Sequence, residues 1–386
     1  MDNLFQEKAC LCALNRIFGF EPRIGLRLIE TFGSASDVFR QNRKELTDVL
    51  GAYSSKDYSS KITVSAFESA SMELETLSNE GCSFIGIGEE GYPVLLRECE
   101  DPPLGLYFKG SSSPEEVFNQ RPQIAVVGTR SLTSYGKEWC QRIVQAMSKA
   151  RTRPLVVSGL ALGVDVTAHK AALDSGIPTV AVLPTGIDAI YPQQNEYVAG
   201  NIASTEGCAL VTDYPPGTSA MRINFLRRNR IIAGICSATI LIESKIKGGG
   251  MMTARLAGTY DRDVFAVPGR LDDPLSQGCN MLIRENLAQS IGGIAGLIED
   301  LGLGRVSITA KDGFRDEVGK HYGEGPLLKA AMTIKSHRGI SVDELCSILG
   351  MPYNETINLV TTLECDGFIS VDLLQHCSAK YVSDFF

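Results

Sequence analysis

Apolar residues in the first 80 positions recur at three- and four-residue spacing, in ACLCALNRI, IGLRLIETF and ESASMELETL. That period predicts helices, with FGF and FGS as the turns between them. From about residue 82 the pattern shortens. SFIGIG and GLYFKG are strand-like runs, and a regular alternation follows. IAVVG, PLVVSG, TVAVLP, ALVTDY, ATILIES and DVFAVPG each precede a segment of helical period. Continuous apolar strands alternating with helices predict an α/β fold, a doubly wound, mainly parallel sheet covered on both faces, over residues 82–300. Residues 301–322 mix glycine and charge and read as a linker. From 323 the order is three helices, a DG turn and two short strands, FISV and AKYV, which is the order of a winged helix. Residues 1–80 read equally as a small module of the helix-hairpin-helix or sterile-alpha-motif kind and as a plain helical cap on the sheet.

The 386 residues fit two or three domains of roughly 150 residues each, and 44% hydrophobic with 21% charged residues is ordinary globular composition. No apolar run of about 18 residues is present, so no membrane span is expected. The start lacks the basic and apolar regions of a secretory signal, which points to the cytoplasm. Eleven cysteines are scattered without a CxxC pair and with only four histidines, a pattern of reduced core thiols rather than a metal site. The formal net charge of -8 argues against a general polyanion binder. A local cleft of opposite sign remains compatible with it.

In an open parallel sheet, ligands bind beyond the carboxyl ends of the strands, often at helix N-termini. Four strand ends carry suggestive loops: VVGTRSLTSYG with Gly128 and Arg130; VSGLALGVDVTAHKAAL with Ser158, Gly159, Asp165, His169 and Lys170; KGGGMMTA with Lys247; and FLRRNRIIAG. Singly, each has a plain reading as a turn, a helix cap or a solvated charge. Together they would line one crevice with amides and cations suited to phosphate. No GxGxxG follows IAVVG, the first strand of the alternation, and no GxxxxGK[ST] occurs, which excludes the dinucleotide and P-loop fingerprints there. Ser158, Asp165, His169 and Glu243 are available for chemistry, but no nucleophile elbow or carboxylate pair stands out. No catalytic residue, metal ligand or cofactor is assigned.

GTR, SGLALGVDVTAHKAAL, TVAVLPTGIDAIYPQQN, DYPPGT, FLRRNRIIAG, GGGMMTARLAGTYDRDVFAVPG and GCNMLI stand in the order of the bacterial DprA/Smf family, which residues 84–290 resemble. The resemblance implies an extended Rossmann domain that binds single-stranded DNA, forms a homodimer and helps load the recombinase RecA during natural transformation, without enzymatic activity. It implies that Arg130, Lys170, Phe225, Arg228, Asn229, Arg230 and Lys247 contact nucleic acid, and the strand-end loops add Gly128, Ser158 and Gly159 to the expected site. Arg130 matches the arginine of the family's G-S-R, Arg228-Asn229-Arg230 its R-N-R, and Lys247 the basic residue before S-G. The family's F-P is Phe225-Leu226 here, its S-E-Y-P is Thr212-Asp213-Tyr214-Pro215, its S-G-S is Gly248-Gly249-Gly250, and a frequent lysine is Gln193. The last two departures remove a hydroxyl and a cation from possible phosphate contacts.

On this reading Arg228 and Arg230 face a DNA backbone, Asp165 or Glu243 orients one of them, and Phe225 stacks on a base. The competing reading is an internal Arg–Asp network joining helix and sheet. Arg227, outside the motif, is expected to be solvated. In the tail the third helix, NETINLVTTLE, has no Lys or Arg, and from 323 onward four basic residues face eight acidic ones. Phosphate attraction dominates non-specific DNA affinity, so the tail reads as a protein-contact or regulatory module. Two other functions compete: a nucleotide phosphoribohydrolase, which would need a glutamate that GGGMMTA lacks, and a transcription regulator acting through the tail.

Overall fold

The computed structural model describes residues 3–304, 313–337, 339–372 and 374–379. It divides into two compact units, residues 1–306 and 307–386.

Five helices open the first unit: Asn3–Phe18, Pro22–Phe32, Ala35–Arg40, Arg43–Leu50 and Val64–Asn79. Their starts are chemically marked. Ser34 accepts from the Asp37 amide, Asn42 and Glu45 form a reciprocal capping box, and Pro22 occupies a first-turn position whose N–H would go unpaired. The first helix is not merely amphipathic. Ala9 through Leu14 are all buried, as in a helix enclosed on every side. Leu14 and Phe18 share one core with Phe84, Tyr107 and Leu183 of the sheet region. Glu73 adds a polar tie, accepting from Arg16 at 2.8 Å and from the Tyr107 hydroxyl at 2.7 Å. The front helices therefore cap the sheet and share its core.

The main sheet has nine strands: β1 Cys82–Gly86, β2 Gly105–Gly110, β3 Gln123–Val127, β4 Leu155–Ser158, β5 Thr179–Val182, β6 Ala209–Thr212, β7 Ala238–Leu241, β8 Asp263–Ala266 and β9 Gln289–Ser290. Their order is β1-β2-β6-β5-β4-β3-β7-β8-β9. β3 to β9 run parallel, in registers such as Val126 opposite Ile240, and β1 and β2 add an antiparallel edge. Every residue of β3 to β7 is buried, which accounts for strands without polar alternation. From β3 the chain winds outward through β4, β5 and β6. The helix Arg222–Ile235 then carries it back to β7, on the other side of β3. The strand order thus reverses between β3 and β7.

That returning helix buries Ile231, Ile232, Ala233 and Ile235 against Leu96, Met251 and their neighbours. Arg227, expected to be solvated, instead binds the end of the first helix. It donates to the carbonyls of Phe20, at 3.1 Å, and Gly19, and its guanidinium lies 3.9 Å from the Phe20 ring centroid. The carbonyls that end a helix lack intrahelical partners, and a neighbouring arginine satisfies them.

The second unit contains the helices Gly313–Tyr322, Pro326–Ser336, Val342–Leu349 and Tyr353–Cys365. A small antiparallel sheet, β10 Ile340–Ser341, β11 Ile369–Val371 and β12 His376–Ala379, completes it in the order β10-β12-β11. The expected linker is corrected over residues 313–322. Phe314 and Val318, one helical turn apart, drive a helix into this unit's core beside Leu345 and Leu363. Of the rest of that linker, Leu301 and Leu303 are buried, and residues 305–312 lie outside the described residues, as do Lys380–Val382 of the expected AKYV strand. Among the described residues, no helix is long and apolar enough to cross a membrane. All eleven cysteines are free thiols and eight are buried.

Replacing Arg227 with Ala leaves two carbonyls and a ring without their cation, and is expected to cost about 1–3 kcal/mol of stability in urea unfolding. An unchanged midpoint would contradict the latch between the first helix and the arginine helix.

Candidate nucleic-acid interface

A parallel sheet splays its loops apart where the strand order reverses, and a crevice opens there. Here a cavity of about 520 Å³ lies beyond the ends of β3 and β7, bounded by Gly128–Arg130, Lys245–Gly250 and the first turns of Arg222–Ile235.

Glycine lets its walls close. A Cβ on Gly250 would lie 2.8 Å from the Gly128 Cα, and one on Gly128 would lie 2.5 Å from Val164. Gly163 has φ of +79°, and a Cβ there would reach within 2.2 Å of the Thr129 carbonyl oxygen. Gly248 is the N-cap of the helix Gly249–Thr259, which has no side-chain cap, so its first-turn amides and positive dipole end face the crevice.

Five cations line the cavity, Arg130, Arg222, Arg228, Lys245 and Lys247, against one carboxylate, Asp165. Arg130, Arg222, Lys245 and Lys247 are exposed. Arg228 forms the floor and is 3% exposed. Its Nη1 donates to the Gly159 carbonyl at 2.7 Å and to that of Val182, at the ends of β4 and β5. Its Nε has no hydrogen-bond partner among the described residues. Gly159 is required there, since a Cβ would lie 2.1 Å from Nη1. Burial pulls this guanidinium down to about 10, the nearby Asp165 opposes that, and the group stays charged at neutral pH. Burial likewise pushes the Asp165 carboxyl upward, against the field of Arg228.

Arg230 faces elsewhere. It is 7% exposed, lies outside the crevice lining and pairs with Asp213 at 2.6 Å, with the Asp101 carbonyl as a second acceptor. Burial alone would lower its pKa, but Asp213 and Asp101 hold it up. The expectation that Arg230 faces the DNA backbone is therefore corrected: carboxylates within the fold neutralise it. Glu243 is corrected too. It is buried and accepts from the Thr133 amide at 3.0 Å, at the start of the helix Ser134–Lys149, and among the described residues it pairs with no arginine. Ser158 donates to the Val126 carbonyl at 2.7 Å and supports the sheet, outside the lining. Lys170 is exposed on the helix Val164–Asp174, also outside it.

Thus Gly128, Arg130, Phe225, Arg228, Asn229 and Lys247 come together, and Gly159 shapes the floor. Arg222, Lys245 and Tyr191 also line the crevice. Sequence reading missed them. The alternation Lys245-x-Lys247 was the available signal for one. His169 pairs through Nδ1 with the Thr179 hydroxyl at 2.7 Å, as a bonded helix residue does.

A family model for DNA recombination-mediator protein A matches residues 83–302. The chain belongs to this family. Smf of Synechocystis is 40% identical over 210 residues, 54% of this chain and 52% of that protein, so the chain spans about half the length of this relative. DprA of Streptococcus pneumoniae is 37% identical over 197 residues, 51% of this chain and 67% of that one. Two solved DprA structures resemble the fold at 30% identity. The S. pneumoniae protein does so with a TM-score of 0.60, over 72% of this chain and 92% of its own. The Helicobacter pylori protein, described for its single-stranded DNA binding mode, has a TM-score of 0.51, over 57% and 95%. For this DprA-family chain the crevice is thus built on the matched segment.

Arg230→Ala strands Asp213 in the interior and is expected to destabilise by about 3–5 kcal/mol, whereas Arg130→Ala should shift stability by less than about 0.5 kcal/mol. Urea unfolding of both separates an internal arginine from one that faces outward, and equal losses would contradict the distinction. Burial, then the charge of Arg228, pulls the His169 imidazole down to about 3 from an ordinary 6.5. The unfolded chain takes up that proton first, so stability falls as pH drops from about 6.5 toward 3. Asp165, with its pKa raised, acts in the opposite sense, so the contrast is drawn against His169→Gln. The stability gap between parent and variant should shrink from pH 7 to pH 5, and a constant gap would contradict a buried neutral imidazole.

Proposed function

We propose that the crevice binds single-stranded DNA through its phosphates, with little sequence preference, and that the protein acts as a non-enzymatic recombination mediator. The observation that carries this reading is a charge inversion: five cations and an uncapped helix N-terminus surround one carboxylate, in a chain of net charge -8. Backbone phosphates are the ligand that such an array suits, with Arg228 as a fixed floor and the exposed cations as adaptable walls. Aromatic residues beside cations are the usual composition of a single-strand groove. Support for DNA as the polymer comes from the DprA relatives, and from the H. pylori protein in particular.

The finer proposal follows the family resemblance. The protein works in the cytoplasm as a homodimer and helps load RecA onto the strand during natural transformation. Two crevices on one strand would raise affinity by ~100-fold or more through effective concentration, which offsets an acidic surface. The acidic second unit is assigned to protein contact or regulation.

Fluorescence anisotropy with a labelled oligo-dT at several salt concentrations tests the binding. For single strands the slope of log K against log salt is about 0.7 per neutralised phosphate. Arg130→Ala and Lys247→Ala, both at exposed positions, should each weaken binding and flatten the slope by about that amount. Wild-type affinity in both variants would refute the crevice as the DNA site. Release of free base from a nucleoside monophosphate would favour a phosphoribohydrolase instead.

A further inference from the structure

An exposed aromatic residue at a crevice mouth is often read as a base platform, and two compete for that role here. Phe225 is half-buried and already engaged. The Arg130 guanidinium lies 4.8 Å from its ring centroid, and the Tyr191 ring packs edge-to-face at 5.4 Å with an interplanar angle of 73°. A cation over a ring is held by the ring's quadrupole. Arg130 makes no hydrogen bond or ion pair among the described residues, so Phe225 is what places this otherwise free charge.

Tyr191 is in the opposite situation. It is 44% exposed and borders the crevice, and its hydroxyl has no partner among the described residues. Its only ring contact among the described residues is with Phe225. The loop that carries it is pinned at both ends. The Thr185 hydroxyl donates to the Ala189 carbonyl at 2.6 Å, and the buried Asn195 amide donates to the Leu160 carbonyl at 2.8 Å. An exposed ring on an anchored loop loses little conformational freedom when it binds. Leu226, also exposed, continues the apolar strip beside the cations.

We propose that Tyr191 is the base-stacking residue of the crevice, and that Phe225 is a positioning residue that holds Arg130 against a phosphate. The ligand is any nucleobase of a single strand, because every base presents a π-face. This deepens the proposed single-strand binding and rests on it. The two residues then act on separable quantities: Tyr191 on affinity and base environment, Phe225 on the number of phosphates neutralised.

An oligo-dT with one internal 2-aminopurine, titrated at several salt concentrations, distinguishes the roles. Binding by the wild type should quench the 2-aminopurine. Tyr191→Ala should lose that quench and bind about 5- to 150-fold more weakly, the range for losing one stacked base, with the salt slope unchanged. Tyr191→Phe should restore both affinity and quench. Phe225→Leu should keep the quench and flatten the salt slope by about 0.7, the loss of one phosphate contact. Wild-type affinity and quench in Tyr191→Ala, or loss of quench in Phe225→Leu alone, would overturn the assignment and give the base to Phe225. A wild type that does not bind the strand at all would instead defeat the functional reading on which the assignment rests.

Discussion

A guanidinium cannot shed its charge in a protein interior, so each buried arginine must be met by acceptors. The helix Arg222–Ile235 buries two. Arg228 is met by the carbonyls of Gly159 and Val182, and Arg230 by Asp213 and Asp101. Those partners sit at the ends of β4, β5 and β6 and in the segment before β2. The two requirements therefore fix the returning helix over the sheet. Its first turns, with Arg222 and Phe225, consequently stand at the crevice rim. Arg227 extends the same logic outward by holding the end of the first helix.

The two buried arginines differ in what remains for a ligand. Arg230 has its charge matched within the fold. Arg228 is held by neutral carbonyls, with Asp165 acting on it through its field and its Nε–H unpartnered among the described residues, so positive potential remains at the crevice floor. An acidic molecule can thus present a basic cleft, because potential in a concave site follows the local charges more than the total.

Much of this was legible in the chain. IAVVG, TVAVLP and ATILIES have no polar alternation because both faces of their strands are covered, and that pattern yields the sheet directly. The strand-end glycines marked the crevice, since close approach leaves no room for a Cβ. Arg228 and Arg230 were harder. Both read as facing a DNA backbone, yet positions two apart on an α-helix point about 200° away from each other, so one strand was never able to meet both. Only the placement of Asp213 and Asp101 decides which one turns inward. Gly313–Tyr322 was obscured by its glycines and charges, although Phe314 and Val318 carry the helical spacing. Arg222 and Lys245 lay outside any motif, and the topology alone brings them to the cleft.

The central claim is that a single strand lies in the crevice between the ends of β3 and β7. Photocrosslinking of an oligo-dT carrying 5-iododeoxyuridine, followed by mass spectrometry of the adducts, tests this most directly. The account predicts adducts on peptides containing Tyr191 and Phe225, lost when salt releases the strand. Adducts confined to the second unit, residues 313–379, would contradict it.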